Sequence, residues 1–354
     1  MKKVATWILC AALVATGSAT ASALQLVPLS SFGGGDGWLA PGEGALGTGA
    51  NLARGLTYNP LNNRVYVVDR EGATAVKVLD GDTGALVGTL DVTGVTGGTF
   101  PLNMIDVDDQ GVIYAANLST SATSNFKIYR WADESSAPTV VFDAPSGRIR
   151  TGDTFAVDGS GAATKMVAAG GSNATDSAFA FFTTADGLSY SVANPAVTDV
   201  ATGAFRLGID LGEGLVVGLQ TGGNLAVAAE TGGPGQVAPV NSAGEAPFTW
   251  DSAENLGASI DVNSSLVRLY STTDLSLLTS TGLLDTANNT TAFVSNGNGV
   301  GDLKFGRLPS GQLRLYALNT NNGIQAFAVV PEPTSALLAT GVALALAGAR
   351  RRYA

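Results

Sequence analysis

The chain has 354 residues, 46 of them glycine, with 29 acidic and 19 basic side chains and a formal net charge of −10. It contains no histidine and one cysteine, Cys10. Ser-His-Asp and Cys-His mechanisms are therefore excluded, and the commonest metal ligand is missing. The acidic balance also argues against nucleic acid as a partner, since that requires clustered Lys and Arg.

The first predicted element is a signal peptide at residues 1–23. It has a basic start at residues 2–3, an apolar stretch at 7–15 and a small-residue cleavage site at Ala21 and Ala23. Cleavage there also removes the cysteine. A permanent membrane helix is the alternative, but the residues before the cleavage site are too small and polar to extend the span. We expect export through the Sec machinery.

The body of the chain, residues 24–330, is predicted to be all-β. The segment NNRVYVVDREGATAVKVLDGDTGALVGTLDV gives strands at Val65–Val68, Ala75–Leu79 and Leu86–Val92, separated by the turns DREG and DGDTG. Turn signals every 8–12 residues are typical of a sandwich, barrel or propeller. No window before Pro333 shows a convincing helical period.

A longer repeat favours the propeller. Six segments share an apolar stub, a polar turn and an apolar strand, at spacings of 49, 50, 54, 51 and 46 residues when anchored on Asn59, Asp108, Asp158, Gly212, Asn263 and Pro309. A period near fifty suits one four-stranded blade. The prediction is six blades, or seven if the Gly-rich residues 33–51 hide a degenerate unit, with a pair of β-sandwiches as the structural alternative.

Two stretches add detail to the propeller prediction. LQLVPLSSFG, from Leu24, predicts an extra strand that completes the last blade beside GIQAFAVV and closes the ring. LARGLTYNPLNNRVYVVDREGATAVKVLDGDTGALVGTL resembles the YVTN- and NHL-like propeller repeats of secreted bacterial proteins. That resemblance implies the same fold.

The acidic segments of the body favour turns over sites. Asp106–Gly111 and Asp80–Gly84 lack the ligand spacing of a calcium loop, so turn geometry explains them better. A carboxylate pair for glycoside hydrolysis is disfavoured because the candidates recur at repeat positions, as structural residues do. These candidates are Asp106, Asp108, Asp158, Asp210, Glu213 and Asp261. We predict no catalytic, cofactor or metal residues.

Other side chains near predicted loops are candidates for carbohydrate binding. Aromatic rings could stack on sugars, although core packing is the more frequent role of such rings, and arginines could bind acidic groups. The aromatic candidates are Trp38, Phe100, Trp131, Phe248 and Trp250, and the arginines are Arg54, Arg130 and Arg206.

The C-terminus, residues 331–354, combines three features in order. Pro331, Glu332 and Pro333 precede the uncharged run SALLATGVALALAGA, which Arg350, Arg351 and Arg352 follow. Fifteen helical residues span about 22 Å, short of a bilayer core of about 30 Å, but snorkelling arginines make a marginal span plausible. Retention of the arginines in the cytoplasm would leave the body outside. A buried core helix is disfavoured because the run has no polar face.

This tail resembles the PEP-CTERM sorting signal. The resemblance implies processing by an exosortase, a membrane enzyme of Gram-negative bacteria that often make exopolysaccharide. It also implies transient anchoring at the inner membrane, followed by release or attachment at the cell surface. The resemblance therefore predicts the cellular location of the protein and indicates nothing about the activity of residues 24–330.

Without both ends the chain keeps 14 basic residues (19 − 5) and 28 acidic ones (29 − 1), a net charge of about −14. We expect a binding or structural role at the cell surface or in the extracellular matrix, with exopolysaccharide as the partner. One alternative is a carboxylate-based polysaccharide hydrolase or lyase, and another is a spacer domain without a ligand. That enzyme would need a deep cleft with two non-repeating carboxylates and an aromatic floor, whereas a shallow Gly- and Thr-lined mouth would favour binding.

Overall fold

Strands form where β-branched and aromatic residues lie between short turns. The computed structural model describes residues 24–170, 178–240, 242–282 and 294–332. The DGDTG turn shows the local cause, because Asp80 Oδ1 accepts the backbone N–H groups of Asp82 and Thr83, and Gly84 takes a φ of 72°. Such Asp-Gly turns reverse the chain tightly between neighbouring strands.

Within these ranges the strands form six blades of four strands, one of which carries a short fifth strand, and a separate two-stranded pair. The described part of the chain starts with β1 (Leu24–Pro28), a 3₁₀ turn (Gly33–Gly35) and β2 (Trp38–Leu39). The first blade contains β3 (Ala53–Asn59), β4 (Arg64–Asp69), β5 (Ala75–Asp80) and β6 (Leu86–Thr89). The second contains β7 (Phe100–Val107), β8 (Ile113–Leu118), β9 (Asn125–Trp131) and β10 (Thr139–Pro145). The third contains β11 (Thr154–Asp158), a 3₁₀ turn (Gly161–Ala163), β12 (Lys165–Ala169), β13 (Ala180–Thr184) and β14 (Tyr190–Ala193).

The remaining strands follow the same plan. The parallel pair β15 (Val197–Thr198) and β19 (Gly233–Pro234) flanks the fourth blade, which contains β16 (Gly208–Gly212), β17 (Leu215–Leu219), β18 (Leu225–Ala229) and β20 (Gln236–Ala238). The fifth contains β21 (Glu245–Asp251), β22 (Leu256–Asp261), β23 (Leu266–Ser271) and β24 (Leu277–Thr281). The sixth contains β25 (Gly301–Arg307), β26 (Leu313–Asn319) and β27 (Gly323–Pro331).

The first strand of each blade contacts the first strand of the next, and β25 contacts β3, so the six sheets close into a ring. The sixth blade has the order β1-β27-β26-β25, so the N-terminal strand supplies its outer edge as predicted. The Gly-rich residues 33–51 form no seventh blade. They supply β2, in which Trp38 and Leu39 pair with β27. The six-bladed prediction is therefore confirmed, and the sandwich alternative is wrong.

The hydrophobic core lies between neighbouring blades. On β4, Val65 and Val67 pack towards the sixth blade, while Tyr66 and Val68 pack towards the second. A strand covered on both faces has no polar side, which explains the continuous apolar run there. Between the second and third blades the rings of Phe142 and Phe182 meet edge to face, with centroids 4.9 Å apart. Gln25–Val330 form one compact unit.

Two sequence predictions about the body need correction. The repeat anchor in the fifth blade, Asn263, follows β22 and not the inner strand β21, so that unit was placed one strand too late. The SIDV motif on β22 imitates the inner-strand pattern, which caused the error. The third predicted strand ends at Thr89 instead of Val92.

The predicted terminal signals lie largely outside the described residues. Pro331 is the last residue of β27 and Glu332 follows it, whereas Ala21, Ala23, Pro333 and the Arg350–Arg352 cluster are not described. Within the described ranges, no helix has the length and apolar character needed to cross a bilayer.

Candidate functional site

The six inner strands surround a central channel and all run in the same direction along it. Their first residues lie at one opening and their last residues at the other. We call these openings the arginine mouth and the aspartate mouth, after the side chains that line them. Between them, the waist of the channel has room for at most one water molecule, about 10 Å³.

Buried side chains from all six blades close the waist. None of the apolar ones is more than 5 % exposed, and they are Leu56, Ile105, Phe155, Ala156, Ile209, Phe248 and Leu303. The two mouths are therefore separate cavities.

Three aspartates bind neighbouring blades together at the waist. Asp106, Asp210 and Asp302 lie on the inner strands of the second, fourth and sixth blades. Each accepts a backbone N–H from the inner strand of the following blade. The donors are Val157 at 2.8 Å from Asp106, Trp250 at 2.8 Å from Asp210 and Leu56 at 3.0 Å from Asp302. These clamps couple the blades in pairs.

Lys304 supplies positive charge to the clamps. Its Nζ lies 2.7 Å from Asp106 Oδ2, and its side chain is 20 % exposed. Burial alone would lower the pKa of Lys304, but the charges of Asp106 and Asp210 outweigh it and the pKa is raised. Burial raises the pKa of Asp210, and it holds the pKa of Asp302 well above its usual value.

The aspartate mouth is a cavity of about 340 Å³ at the ends of the inner strands. Its carboxylates are Asp108, Asp109, Asp158, Asp210 and Asp251. Burial raises the pKa of Asp158, and the charges of Asp109 and Asp210 raise it further. Trp250 contributes an aromatic side to this cavity. Among the described residues, no group of acidic side chains has the arrangement of a metal site.

The arginine mouth is a cavity of about 360 Å³ at the starts of the inner strands. Four arginines and one acid line the part that the structure describes, which gives a net charge of +3 in an acidic protein. They are Arg54, Arg70, Arg150, Arg206 and Asp153. Concentrated positive charge in a concave site attracts anions.

Arg54 is the most unusual residue of this mouth. It is only 4 % exposed, its Nε is buried without a hydrogen-bond partner, and its guanidinium contacts no acceptor in the described chain at hydrogen-bond distance. Burial lowers the pKa of Arg54 to about 10, against the opposing charge of Asp153. A buried cation without a hydrogen-bond partner is costly, and an incoming anion would relieve that cost.

The other arginines are positioned differently. Arg70 donates to Asn103 Oδ1 at 3.1 Å and stacks on the Phe100 ring, with its guanidinium carbon 3.7 Å from the centroid. Arg150 forms two hydrogen bonds to Asp153, at 2.5 and 2.7 Å, and is therefore already neutralised. Arg54 and Arg70 thus face the cavity as net positive groups, with Arg206 beside them on the wall.

Some of the predicted candidates gather at the mouths. Arg54, Arg206 and Phe100 line the arginine mouth, while Asp108, Asp158, Asp210 and Trp250 line the aspartate mouth. The other candidates lie outside both mouths. Trp38, Trp131 and Phe248 are buried core residues. Arg130 lies on β9, Glu213 lies in a turn, and Asp261 lies on β22.

The two acidic loops behave as turns. Asp108 Oδ1 accepts the N–H groups of Gln110 and Val112, and Gly111 takes a φ of 78°. Sequence reasoning missed Asp302, Lys304, Arg70 and Arg150. A usable signal for Asp302 existed, because Asp followed by Val or Leu occurs at 106, 210 and 302 on inner strands.

A ring of six four-stranded antiparallel sheets around a closed-waisted channel defines a six-bladed β-propeller. The chain belongs to the family described as a domain of unknown function, DUF4623, whose sequence pattern matches residues 47–295. No curated protein matches the chain in sequence.

Solved structures support the fold. A DUF4623 family protein from Bacteroides eggerthii superposes with a TM-score of 0.60 at 20% identity, covering 80% of this chain and 72% of that one. A protein of unknown function from Bacteroides thetaiotaomicron gives 0.55 at 14% identity, with 87% and 76% covered. A gluconolactonase from Xanthomonas campestris gives 0.48 at 13% identity, with 80% and 88% covered. That last score is too low to support any argument, so the fold comparison rests on the first two structures.

Proposed function

We propose that this protein is an exported binding propeller that holds acidic extracellular polysaccharide at its arginine mouth. The observation that carries the proposal is Arg54, a guanidinium 4 % exposed and without a partner in a cavity with a net charge of +3. Carboxylates are the natural partners of such a group, because they accept two parallel hydrogen bonds from arginine.

The sequence pattern of the termini supports the location. A signal peptide at 1–23 and a PEP-CTERM-like tail at 331–354 would deliver the body to the cell surface. An exosortase and the Sec machinery would be the processing partners, with a transient stop at the inner membrane. An exopolysaccharide that carries carboxylates would match the charge of this mouth.

Titration calorimetry tests the binding role. An α-1,4-linked galacturonate trisaccharide should bind, and neutral maltotriose with the same linkage should not. Arg54→Gln should weaken binding on the order of 10- to 100-fold, as expected for one charged hydrogen-bonding group. Arg64→Gln, which removes an arginine paired with Asp80 outside both mouths, is the matched control and should bind normally.

Stability gives the same variant a second readout. Because the charge of Arg54 is buried with only the nearby charge of Asp153 to offset it, Arg54→Gln should unfold at the same temperature as the parent or a higher one. Equal binding of the charged and neutral trisaccharides, or normal binding by Arg54→Gln, would refute the assignment.

A second candidate function has its own observation. The aspartate mouth combines Asp158, whose pKa is raised, with other carboxyls and Trp250 in one cavity. A carboxyl that stays protonated nearer to neutral pH suits general acid catalysis on a polysaccharide. Release of reducing ends from neutral glucans, abolished by Asp158→Asn, would support a hydrolase. A wild-type protein that releases none would leave binding as the function.

A further inference from the structure

We propose that the arginine mouth recognises the end of an acidic polysaccharide chain and not its interior. This inference rests on the proposed function, and it specifies the part of the ligand that enters. It follows from the burial of Arg54 together with the closure of the channel at the waist.

The cavity is blind. The waist below it leaves only about 10 Å³, and residues from successive blades, such as Ile105, Phe155 and Ile209, fill it with at most 5 % exposure. A polymer therefore cannot thread through the ring. Whatever enters the arginine mouth must leave by the same opening.

The anchor is the most buried of the four arginines that line this cavity. Arg54 is 4 % exposed, whereas Phe100, which lines the same cavity, is 38 % exposed, and the side chain of Arg150 is 35 % exposed. In a hexuronate the carboxylate is bonded directly to the sugar ring. To reach Arg54, the ring itself must enter the cavity, because no flexible arm carries the carboxylate ahead of it.

The space suits a short terminal segment. A volume of about 360 Å³ is near the lower limit of pockets that enclose small ligands. A ring inside a blind cavity of this size can continue into a chain on one side only, so it is a terminal ring. Asn51 and Asn298 also line the cavity, and Asn298 Nδ2 donates to Asn51 Oδ1 at 3.0 Å. The remaining amide N–H groups and lone pairs of this pair could bind the hydroxyls of the next sugar.

The opposite arrangement would require a different surface. A chain bound through its interior would lie across the opening and contact only exposed groups such as Asn298. Its affinity would then be insensitive to Arg54. The buried guanidinium therefore distinguishes the two modes.

The test measures affinity against chain length with galacturonate oligomers of three, six and twelve residues and with polygalacturonate. End recognition predicts the same dissociation constant per mole of chain at every length. The affinity of Arg54→Gln should be at least tenfold weaker than that of the parent at each length. Interior recognition predicts affinity per chain that rises with length, and that result would overturn the inference.

Modified ends provide the second arm. One modified hexamer has its reducing end converted to the alditol, and a second has a 4,5-unsaturated ring at the opposite end. End recognition predicts that one of these two modifications abolishes binding and that the other leaves it unchanged. Tolerance of both modifications would overturn end recognition while leaving the proposed function intact. Failure of every unmodified oligomer and of the polymer to bind would instead refute the proposed function itself.

Discussion

Replacing Lys304 by methionine removes the ammonium group that lies 2.7 Å from Asp106 Oδ2 in the waist. The variant keeps the aliphatic volume but leaves the three clamp aspartates, Asp106, Asp210 and Asp302, without this positive charge. Removing one partner of a buried ion pair costs about 3–5 kcal/mol. At about 2 °C per kcal/mol for a chain of this size, the unfolding temperature should fall by roughly 6–10 °C.

The loss should depend on pH. Burial already raises the pKa of Asp210 and Asp302, and loss of the ammonium would raise both above the unfolded value of about 3.9 still further. A carboxyl with a raised folded-state pKa stabilises the fold below the unfolded pKa, and this contribution is lost as the pH rises through the folded-state pKa. Lys304 itself stays charged in the parent protein, because its pKa is raised. The variant should therefore be closest to the parent near pH 4 and furthest from it near pH 8.

Thermal unfolding followed by tryptophan fluorescence, at pH 4 and pH 8, measures both the size of the loss and its pH dependence. Lys127→Met is the control. Lys127 has the same 20 % side-chain exposure, but its partner Asp143 is 38 % exposed, so the expected loss is at most about 1 kcal/mol. A Lys304→Met loss no larger than the control loss, or equal losses at the two pH values, would refute the role assigned to the lysine.

Two further predictions concern ring closure and blade contacts. Leu26→Asp places a charge at a β1 position that is 6 % exposed, and it should lower the free energy of unfolding by at least about 2 kcal/mol in thermal unfolding. Val27→Asp, at a 41 % exposed site on the same strand, should have little effect. Equal losses would argue against closure of the ring through β1. Gly208→Ala would put a methyl group 2.5 Å from Ala246 O on the adjoining inner strand, and it should lower the free energy of unfolding by about 1–3 kcal/mol. Gly88→Ala, with no atom within 4 Å of the added methyl group, should leave the stability unchanged. A Gly208→Ala protein as stable as the parent would contradict the close approach of the blades.

The blade plan could be predicted from sequence because it is a local property repeated many times. Turn residues such as Asp80 and Gly84 fix where strands end, and a period near fifty residues gives the number of sheets that must pack together. Closure by the strand at Leu24 was also predictable, since an unpaired edge at the last blade needs a partner. The prediction failed at Asn263, where a second strand repeated the residue types of an inner one.

The sites were less predictable because they combine residues that are distant in sequence. The sequence identified Arg54 and Arg206 as charged residues near loops. That they line the same cavity follows from where the inner strands of two different blades begin in the ring. The pairing of Lys304 with Asp106, 198 positions apart, follows from the position of the sixth blade beside the channel.

The sequence by itself determined the strands, the turns, the six-blade period and the acidic net charge, because each depends on residue type and local spacing. Only the tertiary structure decided that one mouth is positive and the other negative, since that depends on which end of each inner strand faces which opening. It also decided that Arg54 is buried without a partner. Burial and partnership are properties of the closed ring, in which each side chain is surrounded by residues from other blades.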